Sequence, residues 1–124
     1  MRSSFQQVWH AYIQGPSGSA YTKGVFLVTL LLPDNYPQAP PACCFVTQVF
    51  HPNIAIDGRV AFPLIDPMHW TEDTCLADVL QQLRALLAFP ELDIPAANAE
   101  ARAEYDSDRW RFEARAHAWT REFA

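Results

Sequence analysis

A proline-rich stretch between Tyr36 and Trp70 constrains the fold of this 124-residue chain more than any other feature. Each proline holds φ at about −65° and removes a backbone donor, so most of the stretch cannot be regular helix or central strand. It also carries many apolar side chains, too many to leave in water, among them Phe50, Ile54 and Phe62. We therefore predict an ordered loop that packs on the segments beside it and presents a functional surface.

Length, charge and cysteine content narrow the functional class. The length predicts a single domain over residues 1–124. A formal charge of −5 argues against a nucleic-acid partner, and the longest uncharged apolar run, Val25 to Pro33, is too short to enter and cross a bilayer. Three cysteines, two of them adjacent at Cys43 and Cys44, give neither a disulfide framework nor metal-ligand spacing. A reducing compartment, cytoplasmic or nuclear, is the simplest expectation.

Strand patterns come first along the chain and helical patterns follow. Side chains alternate between the two faces of a strand, so in the predicted strand that contains them Cys43 and Cys44 would point in opposite directions. The predicted strands are 5–13, 25–32 and 42–47, with a turn at 15–18. The predicted helices are a leucine-rich one that begins after a cap at Thr71–Thr74 and ends before Pro90, a second over 96–105, and a third over 109–123 capped within 106–108. This order predicts an α+β domain with helices packed on one face of an antiparallel sheet.

Several short motifs, in this order, resemble the ubiquitin-conjugating (E2) fold. They are Tyr-Pro-Gln-Ala-Pro-Pro at 36–41, His-Pro-Asn at 51–53, Gly58, Trp70, the leucine-rich helix and Pro-Ala-Ala-Asn at 95–98. The resemblance implies a meander sheet, no cofactor and no metal. The family usually begins with a helix, and we expect that helix to be absent here because the first predicted strand already begins at Phe5. Residues 62–65 are similar to E2s that work with HECT and RBR ligases, and 21–26 and 33–37 are similar to the fused-toes (Akt-interacting) variant.

The residues at the family's catalytic positions differ in whether they could take part in catalysis. The active-site cysteine stands eight residues after the motif asparagine, which gives Ala61 here, and a methyl group cannot form a thioester. By resemblance Asn53 would stabilise the oxyanion; without a thiol we favour the alternative that it hydrogen-bonds the backbone of its own loop. His51 is expected to be a packed structural imidazole. Asp93 occupies roughly the place of the acid that activates lysine, and Cys75 is on the wrong segment to be the nucleophile.

The resemblance also marks a ligase-facing surface that departs from the family pattern. Gln38 stands where partnered E2s often carry phenylalanine, and acidic Thr71-Glu72-Asp73 replaces a proline-containing segment. Phe62 beside this acidic segment is either an exposed anchor for a partner or a core residue.

Two functional hypotheses follow. The first is a non-catalytic E2 variant that acts as a binding or adaptor module for ubiquitin or a ubiquitin-like protein, another E2, a ligase or an adaptor protein. The alternative is an active conjugating enzyme, transferring ubiquitin through a cysteine thioester to lysine, in which alanine has replaced that cysteine.

Overall fold

The computed structural model describes residues 7–124, and an antiparallel sheet opens this range. Strands β1 (Gln7–Gln14), β2 (Val25–Leu32) and β3 (Ala42–Phe45) lie in the order β1-β2-β3. Val28 pairs with Ala11 on one side and Phe45 on the other, which fixes the register of the meander. The predicted first strand began at Phe5, which lies outside the described residues, as does the place of any first helix.

The third strand is shorter than predicted because a side chain interrupts its ladder. The hydroxyl of Thr47 accepts a hydrogen bond from the Leu27 N–H at 2.8 Å, where a strand carbonyl would otherwise stand. Cys43 is buried and Cys44 is half-buried, as strand alternation predicts. On the other side of β3, Phe45 donates its N–H to Gly58 and Val60 donates to Cys43, so residues 58–60 cover that edge of the sheet.

The three helices follow the predicted order, with two corrected starts. They are α1 (Leu76–Ala88), α2 (Ala99–Ser107) and α3 (Arg109–Phe123). The cap predicted at Thr71–Thr74 is wrong: Cys75 is the N-cap of α1, and its N–H and thiol both point at Asp78. Helix α2 begins three residues later than predicted because the Asn98 side chain caps it by accepting from the Ala101 N–H at 3.0 Å. Asp108 caps α3, as predicted.

The core lies between the inner face of the sheet and the helices. Strand β2 contributes Phe26, Val28 and Leu30, and α1 contributes Val79 and Leu83, all at most 1% exposed. The long loop adds its own layer, because the Phe50 ring stacks 5.7 Å from Phe112 and 5.4 Å from Trp119 of α3. The apolar, proline-rich segment is therefore an ordered part of the core, as predicted. Within residues 7–124 no helix is long and apolar enough to cross a bilayer.

Candidate functional site: a cleft around Ala61

The His51-Pro52-Asn53 corner is buried at the centre of the long loop. All three residues are closed off from solvent, with His51 and Asn53 at 0% exposure. The carbonyl of Pro52 accepts backbone hydrogen bonds from Ala97 and Asn98, at 2.9 and 3.1 Å. The corner therefore ties the loop to the segment that leads into α2.

His51 bridges the corner to the end of α1. Its Nε2 lies 2.7 Å from the carbonyl oxygen of Leu86, and its Nδ1 accepts the backbone N–H of Asn53 at 3.0 Å. These two partners require a neutral imidazole with its proton on Nε2. Burial lowers the pKa of His51 from 6.5 to about 4, against the opposing effect of the Leu86 carbonyl. A neutral, enclosed imidazole with both nitrogens engaged is well suited to holding structure.

Asn53 uses its side-chain amide on the backbone of another loop. Its Nδ2 donates to the Glu91 carbonyl at 2.9 Å, and its Oδ1 accepts the Glu91 N–H at 2.8 Å. Because an amide supplies one donor and one acceptor side by side, it matches the two polar groups of one peptide segment. Asn53 thereby fixes the start of the loop that carries Asp93, Ile94 and Pro95.

Ala61 is hydrogen-bonded to the backbone of Asn53. Its backbone N–H donates to the Asn53 carbonyl at 2.9 Å, so the predicted proximity of these two residues is confirmed. Gly58 makes the approach possible: its φ is +96°, and a Cβ there would stand 2.1 Å from the Phe45 carbonyl oxygen. The glycine at this turn allows residues 58–60 to lie along β3, and Ala61 follows them at the cleft.

A cleft of about 460 Å³ opens at Ala61. Its lining is mostly apolar and consists of Val60, Ala61, Phe62, Pro63, Ile65, Asp66, His69, Ile94 and Pro95. The 91–95 loop forms one wall and the single 3₁₀ turn Pro63–Ile65 forms another. The surface groove expected at Ala61 is therefore present, and Asn53 holds one of its walls in place.

Polar groups stand on the rim of the cleft. The His69 Nδ1 lies 3.4 Å from the Asp66 Oδ2, and both side chains are substantially exposed. Nothing in the spacing of Asp66 and His69 in the sequence distinguishes a loop contact from two separate surface residues. Asp93 is exposed on the loop whose next two residues line the cleft. In the described part of the chain, no cluster of three or more His, Cys, Asp or Glu side chains has the arrangement of a metal site.

Phe62 corrects one expectation for the partner surface. Its side chain is only 7% exposed and belongs to the hydrophobic core, so it forms part of the cleft floor and cannot project as an anchor. Its neighbours Leu64 and Ile65 are half-buried against the same core. The alternative considered for Phe62, a core residue, is the one the geometry supports.

The remaining partner-surface positions lie on two loops that are joined to each other. The Trp70 Nε1 donates to the Pro37 carbonyl at 2.7 Å, and the rings of Trp70 and Tyr36 lie 6.2 Å apart. Gln38 follows Pro37 and Thr71 follows Trp70, so the bond brings their backbones together. Gln38, Thr71 and Glu72 are all exposed.

The fold and this corner define the class of ubiquitin-conjugating proteins. A family model for the ubiquitin-conjugating enzyme matches residues 2–120. The ubiquitin conjugating enzyme E2 B of Dictyostelium discoideum is 35% identical over 119 residues, which cover 95% of this chain and 78% of that protein. The chain therefore belongs to the ubiquitin-conjugating enzyme family.

Two solved structures show the same fold. The E2 domain of a Toxoplasma gondii ubiquitin conjugating enzyme superposes with a TM-score of 0.88 at 30% identity, covering 94% of this chain and 80% of that one. A ubiquitin-conjugating-type protein of Plasmodium yoelii gives a TM-score of 0.86 at 32% identity, covering 94% and 75%. The predicted meander sheet with helices on one face is thus confirmed.

Proposed function

We propose that this protein is a non-catalytic member of its family that acts by binding components of the ubiquitin pathway. The observation that carries the proposal is the methyl group of Ala61, which sits beside Asn53 at the mouth of the cleft. Thioester exchange needs a thiolate at this point, and a methyl group has no electron pair to attack with.

None of the three thiols of residues 7–124 lines the cleft. Burial raises the pKa of Cys43 to about 12, with a further contribution from Cys44, so this thiol stays protonated. Burial and the nearby Asp57 raise the pKa of Cys44 as well, and its Sγ lies 3.6 Å from the Asp57 carbonyl. Cys75 is exposed, but it caps α1 with its Sγ 3.2 Å from Asp78.

The intact His-Pro-Asn corner is compatible with a binding role. It is the feature that favours the alternative, an active enzyme with its cysteine replaced by alanine, because Asn53 could serve as an oxyanion donor. Yet both polar ends of the Asn53 side chain are bonded to Glu91, and His51 is bonded to Leu86 and Asn53. Losing either side chain would leave buried backbone groups unpaired, so the fold alone is sufficient reason to keep both.

Binding is proposed to use the exposed surface where the two joined loops meet. Gln38, Thr71 and Glu72 would contact a ligase, an adaptor or an active E2, and the cleft beside Ala61 would face ubiquitin or a ubiquitin-like protein. An acidic, exposed rim next to an apolar cleft gives orientation and partner choice more than raw affinity. We place this activity in the cytoplasm or nucleus.

A charging assay tests the proposal. The protein is incubated with activating enzyme, ATP and ubiquitin, and products are separated with and without reductant. We expect no reductant-sensitive adduct from the protein with Ala61, and Cys75→Ser serves as the control for the one exposed thiol. An adduct that survives Cys75→Ser would overturn the proposal.

The variant Ala61→Cys then separates the two hypotheses. If it charges and passes ubiquitin to lysine at the rate of an ordinary E2, the site is complete apart from one atom and the alternative gains. If it charges but does not transfer, or fails to charge while its melting curve is unchanged, the rest of the site is not arranged for catalysis and the binding role is supported.

A further inference from the structure

The two edges of the sheet differ in what covers them. The edge at β3 is closed by residues 58–60, through hydrogen bonds from Phe45 to Gly58 and from Val60 to Cys43. The other edge is β1, and within residues 7–124 no segment pairs with its outer side. An uncovered edge strand is a template on which another strand can pair.

The hydrogen-bond pattern shows which residues of β1 face this open edge. Gly15 donates to the Gly24 carbonyl at 2.9 Å, extending the β1–β2 ladder by one pair. Because antiparallel pairs alternate, odd-numbered residues of β1 bond β2, and Val8, His10, Tyr12 and Gln14 turn their N–H and C=O outward. The Gln14 carbonyl is already occupied, since the Arg84 Nε donates to it at 2.9 Å.

The usual protections of an edge strand are absent from β1. Its sequence, QVWHAYIQ, contains no lysine, no proline and no charged carboxylate, and its eight residues pair with β2 without a bulge. Three large side chains stand in solvent along it: Val8 and Trp9 are each 51% exposed and Tyr12 is 73% exposed. This strand is long, pairs regularly with β2 and exposes three large side chains.

We propose that the outer edge of β1 pairs antiparallel with β1 of a second copy of this chain, about a two-fold axis at His10. Among the described residues, 7–124, the outward N–H and C=O groups left without a partner are those of Val8, His10 and Tyr12, a set that is symmetric about His10. Shifting the axis one residue toward Gln14 would place Val8 opposite Gln14, whose carbonyl is held by Arg84. The axis at His10 pairs every free N–H and C=O of the three residues without drawing on the Gln14 carbonyl, which already accepts from Arg84.

Side chains agree with this register. Val8 of one copy faces Tyr12 of the other on the outer side of the sheet, a β-branched and aromatic pair that stabilises antiparallel strands. Trp9 faces Ala11 of the second copy on the inner side, where the small side chain leaves room for the indole. The strand contains no Asp, Glu, Lys or Arg, so no side chain of those types repels an identical strand.

The expected dimer is of modest affinity. A ladder of this length with four half-exposed aromatic rings buries an area near the lower limit of stable interfaces, about 1,000 Å² in total. We expect a dissociation constant of about 1–100 µM, so the dimer forms and dissociates within an accessible concentration range.

Sedimentation of the full chain tests the proposal. Between ~1 and ~100 µM the weight-average mass should rise from that of a monomer toward that of a dimer. His10→Lys puts two ammonium groups opposite each other at the axis and should weaken the dimer at least tenfold. Gln48→Lys adds the same charge on an exposed loop residue away from the strand and should leave the dimer intact.

Cross-linking fixes the register. In a Cys75→Ser background, His10→Cys should give a reductant-sensitive covalent dimer, because directly paired Cα atoms lie about 5.5 Å apart, within disulfide range. Val8→Cys should not, because the two copies of residue 8 would be about 13 Å apart along the strands. A monomer at every concentration, a dimer indifferent to His10→Lys, or equal cross-linking at both positions would overturn the proposal.

Discussion

The buried corner and the joined loops at the two ends of the proline-rich stretch use polar residues in opposite ways. At the His51-Pro52-Asn53 corner every side-chain polar group faces a named backbone partner and none reaches solvent. On the joined loops around Gln38 and Thr71-Glu72-Asp73 the side chains are exposed. Changes to the corner should therefore appear in the free energy of unfolding, and changes to the loops should appear in binding.

Under the proposed binding role, this difference would explain how the family motif is kept in a chain without the family's nucleophile. The corner holds α1 through Leu86, the 91–95 loop through Glu91 and the approach to α2 through the Pro52 carbonyl. The side chain at position 61 takes part in none of these contacts, so alanine in place of cysteine would leave them unchanged. The contacts of the motif hold the fold together, and this is a reason to keep the motif that does not depend on catalysis.

The largest effect on the free energy of unfolding is expected from Phe62→Ala. This variant tests whether the floor of the cleft is buried like the His51-Pro52-Asn53 corner. Phe62 is 7% exposed, and truncating a buried phenylalanine costs about 3–5 kcal/mol through lost burial and the cavity left behind. Urea unfolding measures the loss. Met68→Ala, on the same loop but 87% exposed, is the matched control and should change stability by less than ~0.5 kcal/mol. If Phe62→Ala lowers the free energy of unfolding only slightly, the Phe62 side chain is exposed and not buried.

The next effect is the pH dependence that His51 gives the folded state. Its pKa is about 4 when folded and 6.5 in the unfolded chain, so between these values the unfolded state binds the extra proton. The stabilisation is complete above pH 6.5 and is lost as the pH falls to 4, by about 3 kcal/mol. Other groups also titrate near pH 4, so the measurement compares wild type with His51→Gln. The difference in unfolding free energy between wild type and His51→Gln should shrink as the pH falls from 6.5 to 4. Parallel profiles of the two proteins would show that His51 is accessible to protons when folded.

The element order and the family motifs could be predicted from the sequence because they depend on local patterns. Helix α3 begins and ends where the pattern placed it, and Ala61 lies next to Asn53 as the motif spacing implied. The starts of α1 and α2 were placed too early because several polar residues precede each helix, and only the structure shows which side chain caps it. Cys75, an unusual N-cap, gave no signal against Thr71 or Thr74.

Partners that are distant in the chain could not be predicted. Asn53 was expected to bond its own loop, yet its amide reaches Glu91, 38 residues away. The burial of Phe62 and the pairing of His69 with Asp66 likewise depend on how the loop after Ala61 folds back, and hydrophobicity alone left Phe62 undecided between core and surface. The open edge of β1 also follows from topology, since no residue of the strand itself reports what lies beside it.

The smallest effect on stability, and the sharpest on binding, is expected from Gln38→Phe. Gln38 is exposed beside the bond that joins Pro37 to Trp70, so an added ring meets solvent and stability should change by less than ~0.5 kcal/mol. In the family, phenylalanine at this position serves ligase contact, and a restored aromatic anchor should raise affinity for an isolated HECT or RING domain about tenfold. Titration calorimetry with that domain measures the gain. Gln48→Phe places the same ring on another exposed loop and should give none. If Gln38→Phe lowers the melting temperature strongly, the joined loops belong with the buried corner; if affinity does not change, the acidic Glu72 and Asp73 alone are enough to turn such ligases away.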